Sequence, residues 1–402
     1  MHRKGLLLLL GLSAPLWGST DRPIQSVVAN APPAIATGSD LLFVVGGDNR
    51  PTAKGAPLPR VLGTIFSEIG LIRPDFVLWT GDTVYGYCDS RPELEAEYQA
   101  FLTVAAPGGV PLFNAPGNHE IHAGQTCPPA PTELCGPVCS EQLFRSRFGN
   151  LYGSFDYAGA HFIALDTEVP GPEDAISGPQ LDWLKRDLES NKGARATFVF
   201  SHTEFYSSPR IDPPSAQSHP AVANRAELHD LFRRYPVKAV FSGHEHLYWR
   251  EPAEQHDGID YFVAGGAGAP LYAPPDRGGF SHYVVVRLSG SSVTYDVIEP
   301  GRLYVEPAVE SAPEGLQASF WIVNSNDPEK PLPLRGIEVE IPASLGACSG
   351  LTALAEIRRR DGAVPVEIAL DCAADLPAHH VRLKAPAVPG GASVRLTIRR
   401  KQ

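Results

Sequence analysis

Ala115-Pro116-Gly117-Asn118-His119-Glu120 follows a short apolar run, Val110 to Phe113. The run reads as a buried strand. The turn behind it presents an amide, an imidazole and a carboxylate in three consecutive residues. Each of these groups needs a partner once it leaves water, so the hexapeptide is either a polar loop or one wall of a site. Four other apolar runs decide between the two. Leu41 to Val45 leads to Asp48-Asn49-Arg50, and Phe76 to Trp79 to Gly81-Asp82-Thr83-Val84-Tyr85. Thr197 to Phe200 leads to Ser201-His202, and Ala239 to Phe241 to Gly243-His244-Glu245-His246. Five strand ends with the same chemistry point to one site.

Around these strands, Val61 to Ile69, Glu93 to Val104, Ser177 to Leu188 and Arg225 to Tyr235 place apolar residues at helical spacing. Tyr152 to Asp156 and His161 to Asp166 flank Ala158-Gly159 as a hairpin, and Tyr261 to Ala264 and Tyr283 to Leu288 add strands. Strands alternating with helices predict an α/β fold over residues 41–300, with its site at the strand ends. After Gly301 the period changes to two, as in Ile337, Val339, Ile341 and Val394, Leu396, Ile398. Residues 303–402 therefore read as a small all-β domain, a sandwich in which only Leu351 to Arg359 has a helical reading.

The chain opens on His2, Arg3 and Lys4, then an apolar run to Trp17 and the small residues Gly18 and Ser19. Residues 1–19 match a secretory signal peptide and are too short for a spanning helix. Residues 20–40 read as a linker. No cysteine follows the apolar run, so no membrane anchor is expected, and the location expected is secreted or periplasmic. Six cysteines fit an oxidising compartment. Their segregation suggests a Cys348–Cys372 bridge and two more among Cys88, Cys127, Cys135 and Cys139, a zinc cluster of the last three being the competing reading. The net charge of −11 argues against a polyanionic partner, and no nucleic-acid binding is expected.

The strand ends offer more ligands than one four-coordinate ion with an open position can use. Mixed oxygen and nitrogen donors suit first-row transition metals, and two ions sharing Asp82 account for the count. Singly, Asp48 and Asp82 read as turn or cap residues, Tyr85 as a loop aromatic packed on Tyr87 or Trp79, and His202 as a hydrogen-bonded strand-end histidine. It is the ordered set, spread over about 200 residues, that carries the site. His122, His161, His219, His229, His256 and His282 have no such support.

This ordered set resembles the calcineurin-like metallophosphoesterase superfamily, and within it the purple acid phosphatases. The resemblance covers roughly Leu41 to Pro300 and does not reach the C-terminal domain. It implies a metallophosphoesterase-type β-sandwich flanked by helices. It also implies two metal ions, iron paired with zinc, manganese or a second iron. Asp48, Asp82, Tyr85 and His246 would hold the first ion, and Asp82, Asn118, His202 and His244 the second. His119 would protonate the leaving group, with Glu120 orienting it. One position departs: where the superfamily places a histidine and the purple acid phosphatases a glycine, this chain has Arg50. Arginine does not deprotonate and cannot be a ligand. Arg50 either binds a phosphate oxygen or fixes the loop by pairing with Asp48 or Glu120.

The activity implied is hydrolysis of small-molecule phosphate esters by a metal-bridging hydroxide, with monoesters first and a phosphodiesterase or nucleotidase as the alternative. A non-catalytic binding protein with a degenerate metal site is the competing class, and protein contacts are the role left to the C-terminal domain. A serine hydrolase fails for want of a Gly-x-Ser-x-Gly elbow.

Overall fold

The computed structural model describes residues 24–30, 35–87, 89–121, 134–169, 175–209, 221–312, 315–324, 333–335, 337–359, 362–372, 376, 379–384, 388–389 and 392–400. The signal peptide, residues 20–23 and 31–34 of the linker, Cys88, Cys127, His122 and His219 lie outside the described residues. The first half of the chain runs β1 (Leu41–Gly46), α1 (Arg60–Ile72), β2 (Phe76–Trp79), α2 (Arg91–Ala105), β3 (Leu112–Asn114), α3 (Asn118–Ile121), α4 (Pro137–Phe148), β4 (Gly153–Tyr157) and β5 (Ala160–Ala164). It continues through α5 (Gly178–Ser190), β6 (Thr197–Phe200), α6 (Arg225–Phe232), β7 (Val237–Ser242), β8 (Tyr248–Glu251), β9 (Asp260–Ala264), β10 (Tyr283–Ser289) and β11 (Ser292–Ile298).

These strands form two sheets, of order β11-β10-β1-β2-β3 and β4-β5-β6-β7-β9-β8. The pleat of β1 shows how they stack. Phe43 and Val45 face a cluster shared with Phe76, Phe162, Phe198, Phe241 and Phe262, so the inner faces of the two sheets meet there. Phe43 lies edge-on to Phe198 at 5.0 Å and to Phe162 at 5.5 Å. Aromatic pairs of this kind add to area burial, and cutting Phe43 to alanine costs about 3–5 kcal/mol. Leu42 and Val44 face the other way, onto Leu62, Ile65, Phe66 and Ile69 of α1. On the far side Ile163, Val199 and Val240 pack against Leu184 and Leu188 of α5 and Leu228 and Phe232 of α6. Helices thus cover both outer faces of a sheet-on-sheet sandwich.

The C-terminal part runs β12 (Leu303–Ala312), β13 (Gly315–Asn324), β14 (Ile337–Glu340), β15 (Leu351–Arg359), β16 (Gly362–Asp371), β17 (His380–Lys384) and β18 (Ala392–Arg400). It is all-β, but the expected sandwich is a single seven-stranded sheet of order β12-β13-β18-β15-β16-β17-β14. Leu351 to Arg359 is a strand rather than a helix. Leu351, Ala353 and Ala355 are buried and alternate with exposed Thr352 and Leu354, and β15 sits between β16 and β18. Small alanines disguised a period of two.

Cys348 and Cys372 are joined in a disulfide, as are Cys135 and Cys139, which removes the zinc reading for those residues. The Cys- and Pro-rich stretch also yields α4: Gly136 and Pro137 open it, and Leu143, Phe144 and Phe148 anchor it in the core.

Candidate metal centre

Strands β1, β2 and β3 are parallel neighbours, as are β6 and β7. Their C-terminal ends carry Asp48, Asp82 and Asn118 from one sheet, and His202, His244 and His246 from the other. Each carboxylate is set by a sharp turn. Asp48, Asp82 and His244 hold φ values of 61°, 54° and 68°, a left-handed conformation uncommon outside glycine and enriched at functional sites. Gly243 makes room for this: a Cβ there would lie 2.1 Å from Asp48 Oδ2.

The groups converge. Ligand-type atoms of Asp48, Asp82 and His202 lie within 4.8 Å of one another. His202 Nε2 is 3.4 Å from Asp82 Oδ1, and His246 Nε2 is 3.5 Å from Asp48 Oδ1. His202 Nδ1 meets the Thr80 carbonyl at 2.7 Å and His246 Nδ1 the Pro270 carbonyl at 2.6 Å. Those backbone acceptors take the Nδ1 protons and leave Nε2 of both rings as the ligand atom. Asn118 Oδ1 lies 2.9 Å from His202 Nε2 and 3.1 Å from His244 Nδ1.

The electrostatics are those of a cation site. Burial, and next the charge of Asp82, push the Asp48 carboxyl well above the usual carboxylate range. Burial pushes Asp82 up to about 7 against the pull of Arg50. Two buried carboxylates at such a distance are costly unless a proton or a cation joins them. Asp48 Oδ2 is buried with no hydrogen-bond partner. Carboxylates, an amide oxygen and imidazoles together are a donor set that fits transition-metal ions.

Arg50 pairs with Asp82, Nε to Oδ2 at 3.6 Å, rather than with Asp48 or Glu120. Glu120 does not reach His119. It accepts the backbone N–H groups of Asp82, Thr83 and Gly117 at 3.0, 2.7 and 2.9 Å and the Thr83 hydroxyl at 2.6 Å, locking the β2 and β3 turns together. His119 Nδ1 hydrogen-bonds the Tyr85 carbonyl, and Nε2 stands 3.9 Å from Asp82 Oδ2. Burial, then Arg50, hold its pKa well below the usual imidazole value. Tyr85 meets the cluster through that carbonyl and through ring contacts with Tyr87 and His119.

Two tyrosines escaped the sequence reading. Tyr87 shares a hydrogen bond with Asn118, and Tyr272 stacks on His246 at 4.1 Å. Neither falls at a ligand spacing. Among the unsupported histidines, His161 bridges Asp156 and Asp187 at 2.7 and 2.8 Å, and His282 is buried against the Phe280 carbonyl.

Residues 57–248 match the family described as calcineurin-like phosphoesterase. Purple acid phosphatase 23 of Arabidopsis thaliana is 33% identical over 35% of this chain and 29% of its own length. Serine/threonine-protein phosphatase CPPED1 of Rattus norvegicus is 27% identical over 50% of this chain and 61% of its own. The chain thus spans less than two thirds of each of these relatives. A purple acid phosphatase from yellow lupin (Lupinus luteus) seeds shares the fold at 21% identity and a TM-score of 0.52, over 67% of this chain and 54% of that one. With the strand-end cluster on this fold, residues 57–248 are matched as a calcineurin-like phosphoesterase domain, and the chain resembles the purple acid phosphatases.

Proposed function

We propose that the chain is an exported, dinuclear metal-dependent phosphoesterase acting first on small phosphate monoesters. The single observation that carries this is the cross-sheet cluster of Asp48, Asp82 and His202, with buried Asp48 Oδ2 left unpartnered. Asp48, Tyr85 and His246 are assigned to one ion and Asn118, His202 and His244 to the other, with Asp82 between them. Iron paired with zinc, manganese or iron is the pairing proposed. Ions held there supply a Lewis acid and a water of lowered pKa.

The chain's own residues do the rest. His119 donates its Nδ1–H to the Tyr85 carbonyl, which leaves Nε2 as the atom that gives a proton to the leaving oxygen when the ring is protonated. Arg50 binds a phosphate oxygen with its fork while staying beside Asp82. Asn118 and the surrounding N–H groups offset charge on the phosphoryl oxygens. A phosphodiesterase or nucleotidase is the second reading within the class. The Arg50–Asp82 pair is the observation that favours the other reading, a binding protein with a degenerate site. The two disulfides support export. Among the described residues no helix is long and apolar enough to cross a membrane.

The test is elemental analysis of dialysed protein beside turnover of an aryl phosphate monoester and the matching diester. Two ions per chain, monoester preference, and loss of both ions and turnover in Asp82→Asn are expected. One ion or none in the wild type overturns the dinuclear reading, and two ions without turnover overturn the enzyme.

A further inference from the structure

The turn Tyr85-Gly86-Tyr87 wraps the start of α3. Its shape is fixed from two sides. Glu97 Oε2 accepts the N–H groups of Tyr85 and Gly86 at 2.6 and 3.2 Å. Gly86 has φ 66°, and a Cβ there would lie 1.9 Å from the His119 carbonyl oxygen. The turn is therefore pressed onto the backbone of the residue after Asn118, and it delivers Tyr87 to the cluster. The Tyr87 ring lies tilted over the His119 imidazole, centroids 4.0 Å apart and planes 31° apart. Its hydroxyl oxygen accepts a hydrogen bond from Asn118 Nδ2.

A carboxamide has two ends of nearly equal size and opposite character, and a half-turn exchanges them. Facing His202 Nε2 and His244 Nδ1, the carbonyl offers a cation a lone pair, whereas the NH2 group would present hydrogens to it. With its Nδ1 proton held by the Thr80 carbonyl, His202 leaves Nε2 as an acceptor, so in the metal-free cluster that ring by itself draws the NH2 end toward it. At the far end Asn118 Nδ2 donates to the Tyr87 hydroxyl oxygen, and while that bond is kept Oδ1 stays toward the histidines.

We propose that Tyr87 is a positioning residue that holds the Asn118 carbonyl in the ligand orientation, so that the second metal position is formed before metal binds. This rests on the reading of Asn118 as a ligand. Partners of a ligand's far end commonly change metal affinity about 10- to 100-fold.

The test is calorimetric titration of Mn2+ into the chelator-stripped full chain, for wild type, Tyr87→Phe, Asn118→Asp and the double variant. Thermal melts of the stripped proteins check the fold. Wild type is expected to bind two ions. Tyr87→Phe should weaken one of them about tenfold, leaving the other ion and the melting temperature unchanged. In the Asn118→Asp background, removing the hydroxyl should change neither affinity more than about twofold, since a carboxylate presents an oxygen either way round. A wild type that binds fewer than two ions sinks the parent reading, and the proposal with it. With two ions bound, an unaltered Tyr87→Phe overturns the proposal alone. Equal losses with Asn118 and with Asp at 118 also overturn it, because the effect would then run through packing and not through the amide.

Discussion

At Asp48 the left-handed backbone, the burial and the neighbouring carboxylate of Asp82 all act against the folded state unless a cation joins the two acids. Metal-free Asp48→Asn is therefore expected to be more stable than metal-free wild type, by about 1 kcal/mol. Asparagine tolerates the same φ and carries no charge. Chemical denaturation of stripped protein measures this, and a destabilised variant would mean that the Asp48 carboxylate is satisfied without metal. Tyr85 raises a different question. Its spacing after Asp82 was legible and implied a phenolate ligand, yet the hydroxyl that touches a candidate ligand is that of Tyr87. In iron-loaded protein Tyr85→Phe should abolish the visible charge-transfer band. A band that survives there and vanishes in Tyr87→Phe would move the phenolate two residues along. Tyr87 and Tyr272 were illegible because their roles come from loop geometry, which no spacing rule encodes.

Elements were legible where burial is two-sided. Strands β1, β2 and β6 appear as unbroken apolar runs because helices cover one face and the partner sheet the other. Strand β15, with alanines on its buried face, carries a weaker pattern and was given a helical reading, and α4, entered through cysteines and prolines, escaped the sequence reading. The hairpin of β4 and β5 is tied to α5 by His161, whose two ring nitrogens pair with the carboxylates of Asp156 and Asp187. Burial opposes its charge, but the hydrogen bonds to Asp187 and then Asp156 outweigh that and raise its pKa. A raised folded pKa stabilises fully below the unfolded value of about 6.5 and is lost as pH rises through the higher folded value. His161→Gln should therefore cost about 1–2 kcal/mol at pH 5 and less at pH 9. Equal losses at both pH values would show that the ring acts through packing alone.

Over the whole molecule, the C-terminal sheet is bound to the α/β part more closely than a change of sequence period suggests. Glu68 of α1, buried, accepts the N–H groups of Gly301 and Leu303 at 2.9 and 3.0 Å and the Tyr283 hydroxyl at 2.9 Å. Leu303, Ile337 and Val339 share one apolar cluster with Ile65 and Ile69. A chain ending at Pro300 would leave these surfaces in water and that carboxylate with fewer partners. Residues 41–300 expressed alone should lose cooperative unfolding, and a melt matching the full chain would show the sheet to be dispensable. The proposed ligands are divided: Asp48, Asp82 and Asn118 stand on one sheet, and His202, His244 and His246 on the other. A ribosome must release residue 246 before the cluster can exist, and the two sheets must then dock. An ion captured by this cluster is thus drawn from the compartment in which the protein folds, whatever the metal content of the compartment in which it was made.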